Sequence, residues 1–129
     1  MKSVLRVLSL GVVSMVFGSG AALAQNSDQL AEQAKKIAAS SGCFTCHTIS
    51  HQDNKDGKLP VGPAWQDVAA QYRDKPGAAE FLTRVVLEGS NPYSSHWKNK
   101  AAGVAMPPNA VAITEADTRK VVYWILSLR

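Results

Sequence analysis

The sequence predicts an all-α fold of three to four helices joined by long loops. Two observations carry this. Apolar residues recur at helical spacing in separate stretches, and no stretch alternates with the period of a strand. Between the periodic stretches lie segments rich in Gly, Pro, Asn and Asp, which form turns and break regular structure.

The first 24 of the 129 residues read as a leader. Lys2 and Arg6 supply a basic start, an apolar run follows from Val7 to Phe17, and Ala22-Leu23-Ala24 gives the small-x-small pattern that signal peptidase cleaves after. A retained membrane anchor is the alternative. The run is short for a bilayer span of about 20 residues, and Gly18, Ser19 and Gly20 interrupt it. The expected division is a cleaved signal peptide over residues 1–24 and a single domain over residues 25–129, exported to the periplasm, with no stable membrane insertion. A chain of this length forms one small domain with a modest core, which a tightly held cofactor would enlarge. Lys2 and Arg6 leave with the leader, so the formal charge falls from +4 to +2. The basic pI near 9.2 belongs to the precursor, and it gives no case for a nucleic-acid partner.

The first helix is expected to begin at Asp28, capped by Ser27, with Leu30, Ala34, Ile37 and Ala38 on one apolar stripe. Ser40, Ser41 and Gly42 end it. Turn formers fill the stretch from Ser50 to Pro63. A short helix is predicted over Trp65 to Tyr72, and another over Ala78 to Glu88, with Phe81, Leu82, Val85 and Val86 as its apolar face and Gly89 as its stop. A second long loop occupies residues 89–112, a length that in a compact domain calls for a function. The last helix opens at Thr114, with Asp117 three residues on as an acidic relative of the capping box. It runs to about Leu128 on Val121, Val122, Trp124, Ile125 and Leu128.

Cys43 and Cys46 are the only cysteines. In an exported chain two cysteines suggest a disulfide, yet a bridge across so short a loop constrains the unfolded chain little. Cys43-Phe44-Thr45-Cys46-His47 is instead the C-x-x-C-H attachment signature of c-type haem. Two thiols must reach the two vinyl groups of one porphyrin, and a short turn sets their separation. The next residue, His47, then lies under the iron and can coordinate it. A zinc site would want further Cys or His ligands, and a thioredoxin-like pair would want a βαβ unit. An iron-bound imidazole donates its other N–H to a nearby acceptor. The stiff stretch from Pro60 to Pro63 points to the Pro63 carbonyl.

A sixth ligand is then sought. Leader removal leaves Met106 as the only methionine. Pro107 and Pro108 behind it restrict the backbone to extended conformations. A lone Met often fills a core gap; with a haem inferred, ligation is favoured. His51 lies four residues from His47, on its side of the iron, and reads as solvated loop. His96 is the minor rival, ten residues before Met106 in the same loop.

At this point the sequence resembles the class I bacterial cytochromes c, in particular the small c551/c552 group. The resemblance rests on the helix leading into Cys43-Phe44-Thr45-Cys46-His47, on the block from Val61-Gly62-Pro63 to Tyr72, on Met106-Pro107-Pro108-Asn109-Ala110-Val111, and on the closing helix with Val122-Tyr123-Trp124. It implies the class I cytochrome c fold around one covalent haem c, with the first and last helices crossing near the haem. It implies iron held by His47 and Met106, Pro63 accepting from His47, Asn109 near the Met106 sulfur, and Trp97 on a haem propionate. Two segments depart from the family. The loop between His47 and Pro63 is longer, and a longer, more basic stretch from Asn91 to Gly103 replaces a compact G-x-W-G segment.

The function so implied is one-electron transfer, not enzymatic turnover, with redox proteins (a dehydrogenase, an oxidase or another cytochrome) as partners. Lys35, Lys36, Lys55, Lys58, Lys98 and Lys100 flank the haem motifs and could form a weakly basic docking rim or be plain solvated charges. Two rivals stand beside the free carrier. A gas-binding or peroxidatic haem protein needs an open sixth position, which Met106 argues against. A dedicated electron-accepting subunit of an exported dehydrogenase, for example a sulfite-oxidising one, would use the enlarged loops as its interface. Haem should stay with the denatured chain when matured protein is extracted with acidified organic solvent; haem that leaves freely would contradict thioether attachment.

Overall fold

The structure is a computed structural model. It describes the backbone of residues 19–50 and 58–129, and side chains from residue 26 onward within that range. Among the described residues there are four α-helices and no strand: α1 (Ser19–Ser40), α2 (Trp65–Tyr72), α3 (Ala78–Glu88) and α4 (Glu115–Ser127). A single 3-10 turn, Cys43–Thr45, follows α1.

Helix α4 is the hub. It packs against α1, α2 and α3, and Val121, Val122, Trp124 and Ile125 are buried along it. Side chains at these spacings point to more than one side of a helix, which lets α4 meet three neighbours. From α1 the core takes Ala34 and Ala38, one turn apart and both fully buried. Their small side chains let α1 approach α4 closely. From α2 it takes Trp65 and Val68, and from α3 Leu82. The Trp65 and Trp124 rings meet edge to face, 5.3 Å apart at 83°, a favoured aromatic geometry.

The observed bounds of α2 and α3 are those the sequence predicts. At α4 the Thr114 hydroxyl accepts from the Asp117 N–H at 3.2 Å, which satisfies one of the donors that a helix start leaves open. Helix α1 departs from expectation. It begins at Ser19, so Ser27 lies inside the helix rather than at its cap. Ala21, Ala22, Leu23, Ala24 and Gln25 are helix-favouring residues, and no helix breaker interrupts them before Asp28. Leu30 is exposed, so the buried stripe of α1 starts at Ala34. Residues 1–18, which make up most of the expected signal peptide, lie outside the described residues. Among those described, no helix is long and apolar enough to cross a membrane.

Two substitutions should rank this packing. Trp124→Ala empties the centre of the core and should cost about 3–5 kcal/mol; Thr114→Ala removes only the cap and should cost about 1 kcal/mol. Guanidinium unfolding of the matured protein, followed by helical circular dichroism, measures both.

Candidate functional site

Cys43 opens the 3-10 turn and Cys46 caps its end, three residues on, and both line the same cleft. The turn is closed by the Cys46 and His47 N–H groups, which donate to the Cys43 carbonyl at 3.3 and 3.1 Å. The thiols are not joined to each other. Burial pushes the half-buried Cys43 thiol up from its ordinary value, so it stays protonated, while Cys46 is exposed.

His47 Nδ1 lies 2.8 Å from the Pro63 carbonyl and donates to it. Burial pushes the imidazole's pKa down, against the opposing pull of that bond. The ring is therefore neutral, with Nε2 left free. Its plane lies 23° from that of Trp65 at 5.8 Å, and Phe44 leans on the same indole at 4.9 Å. Trp65 thus joins the C-x-x-C-H turn to the core through Trp124. The backbone makes a second join: the Trp65 and Gln66 N–H groups, at the open start of α2, donate to the carbonyls of Thr48 and Ile49 at 2.9 and 3.0 Å.

Gly62 has a part that sequence reasoning missed. Its N–H donates to the Cys46 carbonyl at 2.8 Å. A Cβ placed there would lie 2.8 Å from His47 Cε1 and 3.0 Å from Nδ1. Only hydrogen fits between this backbone and the imidazole.

Met106 comes to the site from the other end of α3. Its N–H donates to the Ser90 hydroxyl at 2.8 Å, and the Ser90 N–H donates to its carbonyl at 2.9 Å. Asn109 and Ala110 donate backbone N–H groups to the Val86 and Leu87 carbonyls at 3.0 and 3.3 Å, filling acceptors that the end of α3 leaves open. The Asn109 amide donates to the Pro107 carbonyl at 2.6 Å and to the Val86 carbonyl at 3.3 Å. Its two N–H groups are engaged on backbone, so its hold on Met106 runs through the loop. Gly89 makes room for that loop: its φ of 88° is open to glycine, and a Cβ would meet the Met106 carbonyl at 3.0 Å.

Cys43, Cys46, His47 and Met106 line one cleft of about 390 Å³. The rest of its wall is largely apolar. Helix α3 gives Phe81, Leu82, Val85 and Val86, and α4 gives Val121, Val122 and Ile125. Phe81 is exposed, and Val85 and Val86 are only half-buried, although all three sit on the predicted apolar face of α3. A flat apolar group in the cleft would cover them. The donor set suits a haem attached by two thioethers, and among the described residues no group of three or more His, Cys, Asp or Glu gathers to hold a metal without it.

Trp97 also lines the cleft, in a loop built from successive turns. The Lys100 ammonium lies 5.9 Å from its ring centroid, and the His96 ring meets it edge-on at 4.8 Å. His96 is exposed, and its Nε2 lies 3.1 Å from Lys100 Nζ, which donates to it. Desolvation first, then the charges of Lys100 and Lys75, hold its pKa below the ordinary value. Of the lysines singled out, Lys35 pairs with Glu32 at 2.9 Å, and Lys36, Lys58, Lys98 and Lys100 are exposed. His51 and Lys55 lie outside the described residues.

Two thiols and a neutral imidazole on one turn, opening on an apolar cleft in an all-α chain, define a c-type haem protein. The cytochrome c family model matches residues 31–129. The chain belongs to the cytochrome c family, whose members are electron carriers with covalent haem c. It is 34% identical over 93 residues to cytochrome c-552 of Nitrosomonas europaea, covering 72% of this chain and 76% of that protein. It is 30% identical over 129 residues to cytochrome c-552 of Hydrogenobacter thermophilus, covering both in full. The crystal structure of wild-type Nitrosomonas europaea cytochrome c552 superposes with a TM-score of 0.56 at 35% identity, covering 74% of this chain and 99% of that one.

Gly62→Ala should press on the imidazole and cost about 1–3 kcal/mol by overpacking. The haem-loaded variant should show shifted His47 ring resonances in nuclear magnetic resonance. Unmoved resonances and unchanged stability would show that the close approach is relieved elsewhere.

Proposed function

We propose that the chain is an exported, periplasmic one-electron carrier, with Cys43 and Cys46 as its thioether anchors and with His47 and Met106 as axial ligands to the haem iron. The haem supplies the Fe(II)/Fe(III) couple. The observation that carries the ligand reading is the fastening of Met106. Its backbone is bonded in both directions to Ser90, and the residue lines the same cleft as His47. His47 meets the needs of a ligand: it is neutral, and Pro63 engages Nδ1 so that Nε2 is presented. His96 suits the role less well, being exposed with its Nε2 engaged by Lys100. A neutral thioether favours Fe(II) relative to a second imidazole, which gives a high potential. The fastened loops keep both ligand side chains in place as the charge on the iron changes.

The export reading rests on the residue 1–24 leader pattern. Cleavage after Ala24 would leave the buried Ala34 and Ala38 in place against α4. Redox proteins are the partners, met in brief encounters at exposed surface near the haem, with Lys98 and Lys100 as a weakly basic rim. One observation favours a second reading, a dedicated electron-accepting subunit of an exported dehydrogenase. Tyr93 and Val104 are 85% and 80% exposed, apolar surface that a permanent partner would cover.

Met106→Ala in the haem-loaded protein should abolish the weak far-red sulfur-to-iron band of the oxidised form. It should also open the iron to carbon monoxide and lower the potential, each fall of about 59 mV being a tenfold change in relative Fe(II)/Fe(III) stabilisation. Met106→His should lower the potential without opening the site. If Met106→Ala left spectrum and potential alone while His96→Ala changed both, the ligand pair would be two histidines.

A further inference from the structure

We infer that Gly103 is a positioning residue for Met106: a two-bond backbone clasp formed at Ala102 and Gly103 ties the methionine loop to the segment that supports His47, and Met106 leaves the iron only when that clasp opens. The inference rests on the reading of Met106 as an axial ligand.

The clasp is visible as two hydrogen bonds between segments far apart in sequence. The Ala102 N–H donates to the Pro60 carbonyl at 2.7 Å, and the Gly103 N–H donates to the Val61 carbonyl at 2.9 Å. The next two residues of that segment turn the other way. Gly62 donates to the Cys46 carbonyl, and Pro63 accepts from His47. Four consecutive residues, 60 to 63, therefore grip the methionine loop with one half and the histidine turn with the other. Val61 and Gly103 both line the cleft. Val61 is 53% exposed and Val104 is 80% exposed, so the clasp lies at the solvent side of the cleft.

Its position gives it leverage. Val104 and Ala105 alone separate Gly103 from Met106, and three residues of chain span at most about 11 Å. Met106 is held by Ser90 on its other side. A span so short, fastened at both ends, cannot swing its methionine clear of the cleft until one fastening gives. The Ser90 fastening is backed by Asn109 and Ala110 on the end of α3; the clasp has two hydrogen bonds and exposed neighbours, so it is the end that gives.

Glycine is required where the clasp closes. A Cβ on residue 103 would lie 2.5 Å from the Val61 carbonyl oxygen. That neighbour is backbone, unable to step aside as the tip of a long side chain can. Relief requires the two segments to part, and parting lengthens both hydrogen bonds.

The test uses oxidised, haem-loaded protein and imidazole as the probe. At saturating imidazole the observed binding rate becomes the rate at which Met106 leaves. Gly103→Ala should raise that limiting rate at least tenfold, equivalent to about 1.4 kcal/mol of barrier, with the resting far-red band and helix content retained. Tyr93→Ala, a change on an exposed side chain outside the cleft, should leave the rate unchanged. A parental limiting rate in folded Gly103→Ala would overturn the inference. Should that variant fail to fold, the unmodified protein still decides. Amide hydrogen exchange at Ala102 and Gly103 should quicken when imidazole holds Met106 off the iron; exchange that stays slow would show the clasp closed while Met106 is away, and the inference would be wrong. Failure of the ligand reading looks different: Met106→Ala would then keep the far-red band and bind imidazole no faster than the parent.

Discussion

A helix leaves its first N–H groups and its last carbonyls without partners inside the helix, and in this chain the segments that carry His47 and Met106 take up those places. Thr48 and Ile49, directly after His47, accept from the open start of α2. Asn109 and Ala110, just after Met106, donate to the open end of α3. Each segment is held by a need the helix already has, so completing the two helix ends places His47 and Met106 beside the cleft. Helix stability and the positions of these two residues are thereby linked. The hub helix α4 makes this effective, because it fixes α2 and α3 relative to each other. The two segments therefore share one rigid frame.

The same frame explains why apolar side chains stand open on α3. Phe81, Val85 and Val86 have the spacing of a buried face, yet protein covers them only in part. Behind them Leu82, Val122 and Ile125 are buried. The core of so small a chain is thin, and the cleft interrupts it. The covalent haem of the family would complete that apolar interior if seated in the cleft, serving as structural filling as well as electron carrier. Trp65 connects this interior to the attachment turn, stacking on His47 on one side and meeting Trp124 on the other.

Local rules made much of this legible. Gly89 stops α3, and Thr114 with Asp117 marks the start of α4; each signal acts within a few residues. The C-x-x-C-H turn is local as well, and the contact of Pro63 with His47 could be reasoned from the stiffness of its segment. The start of α1 was not legible at Ser27, because the helix formers at positions 21–25 continue the helix through it. Nor could Gly62 and Gly103 be singled out. What makes each necessary is a backbone or ring brought from elsewhere in the chain, His47 in one case and Val61 in the other. Asn109 was expected, through the family resemblance, near the Met106 sulfur; its amide contacts with the Val86 and Pro107 carbonyls depend on where α3 ends, which the Asn109 segment does not encode.

The stretch between Ser90 and Ala102 leaves and re-enters the framework at two fastened points: Ser90 is bonded to Met106 and Ala102 to Pro60. What lies between is an excursion whose ends stay in register whatever its length. Lengthening a closed loop costs only about 0.6 kcal/mol for each doubling. Its outer positions, such as the exposed Lys98, Asn99 and Lys100, can therefore vary at small cost in loop entropy, while Trp97 on its inner side stays part of the cleft wall. The outer surface of this loop is thus set by different constraints from the cleft wall beneath it.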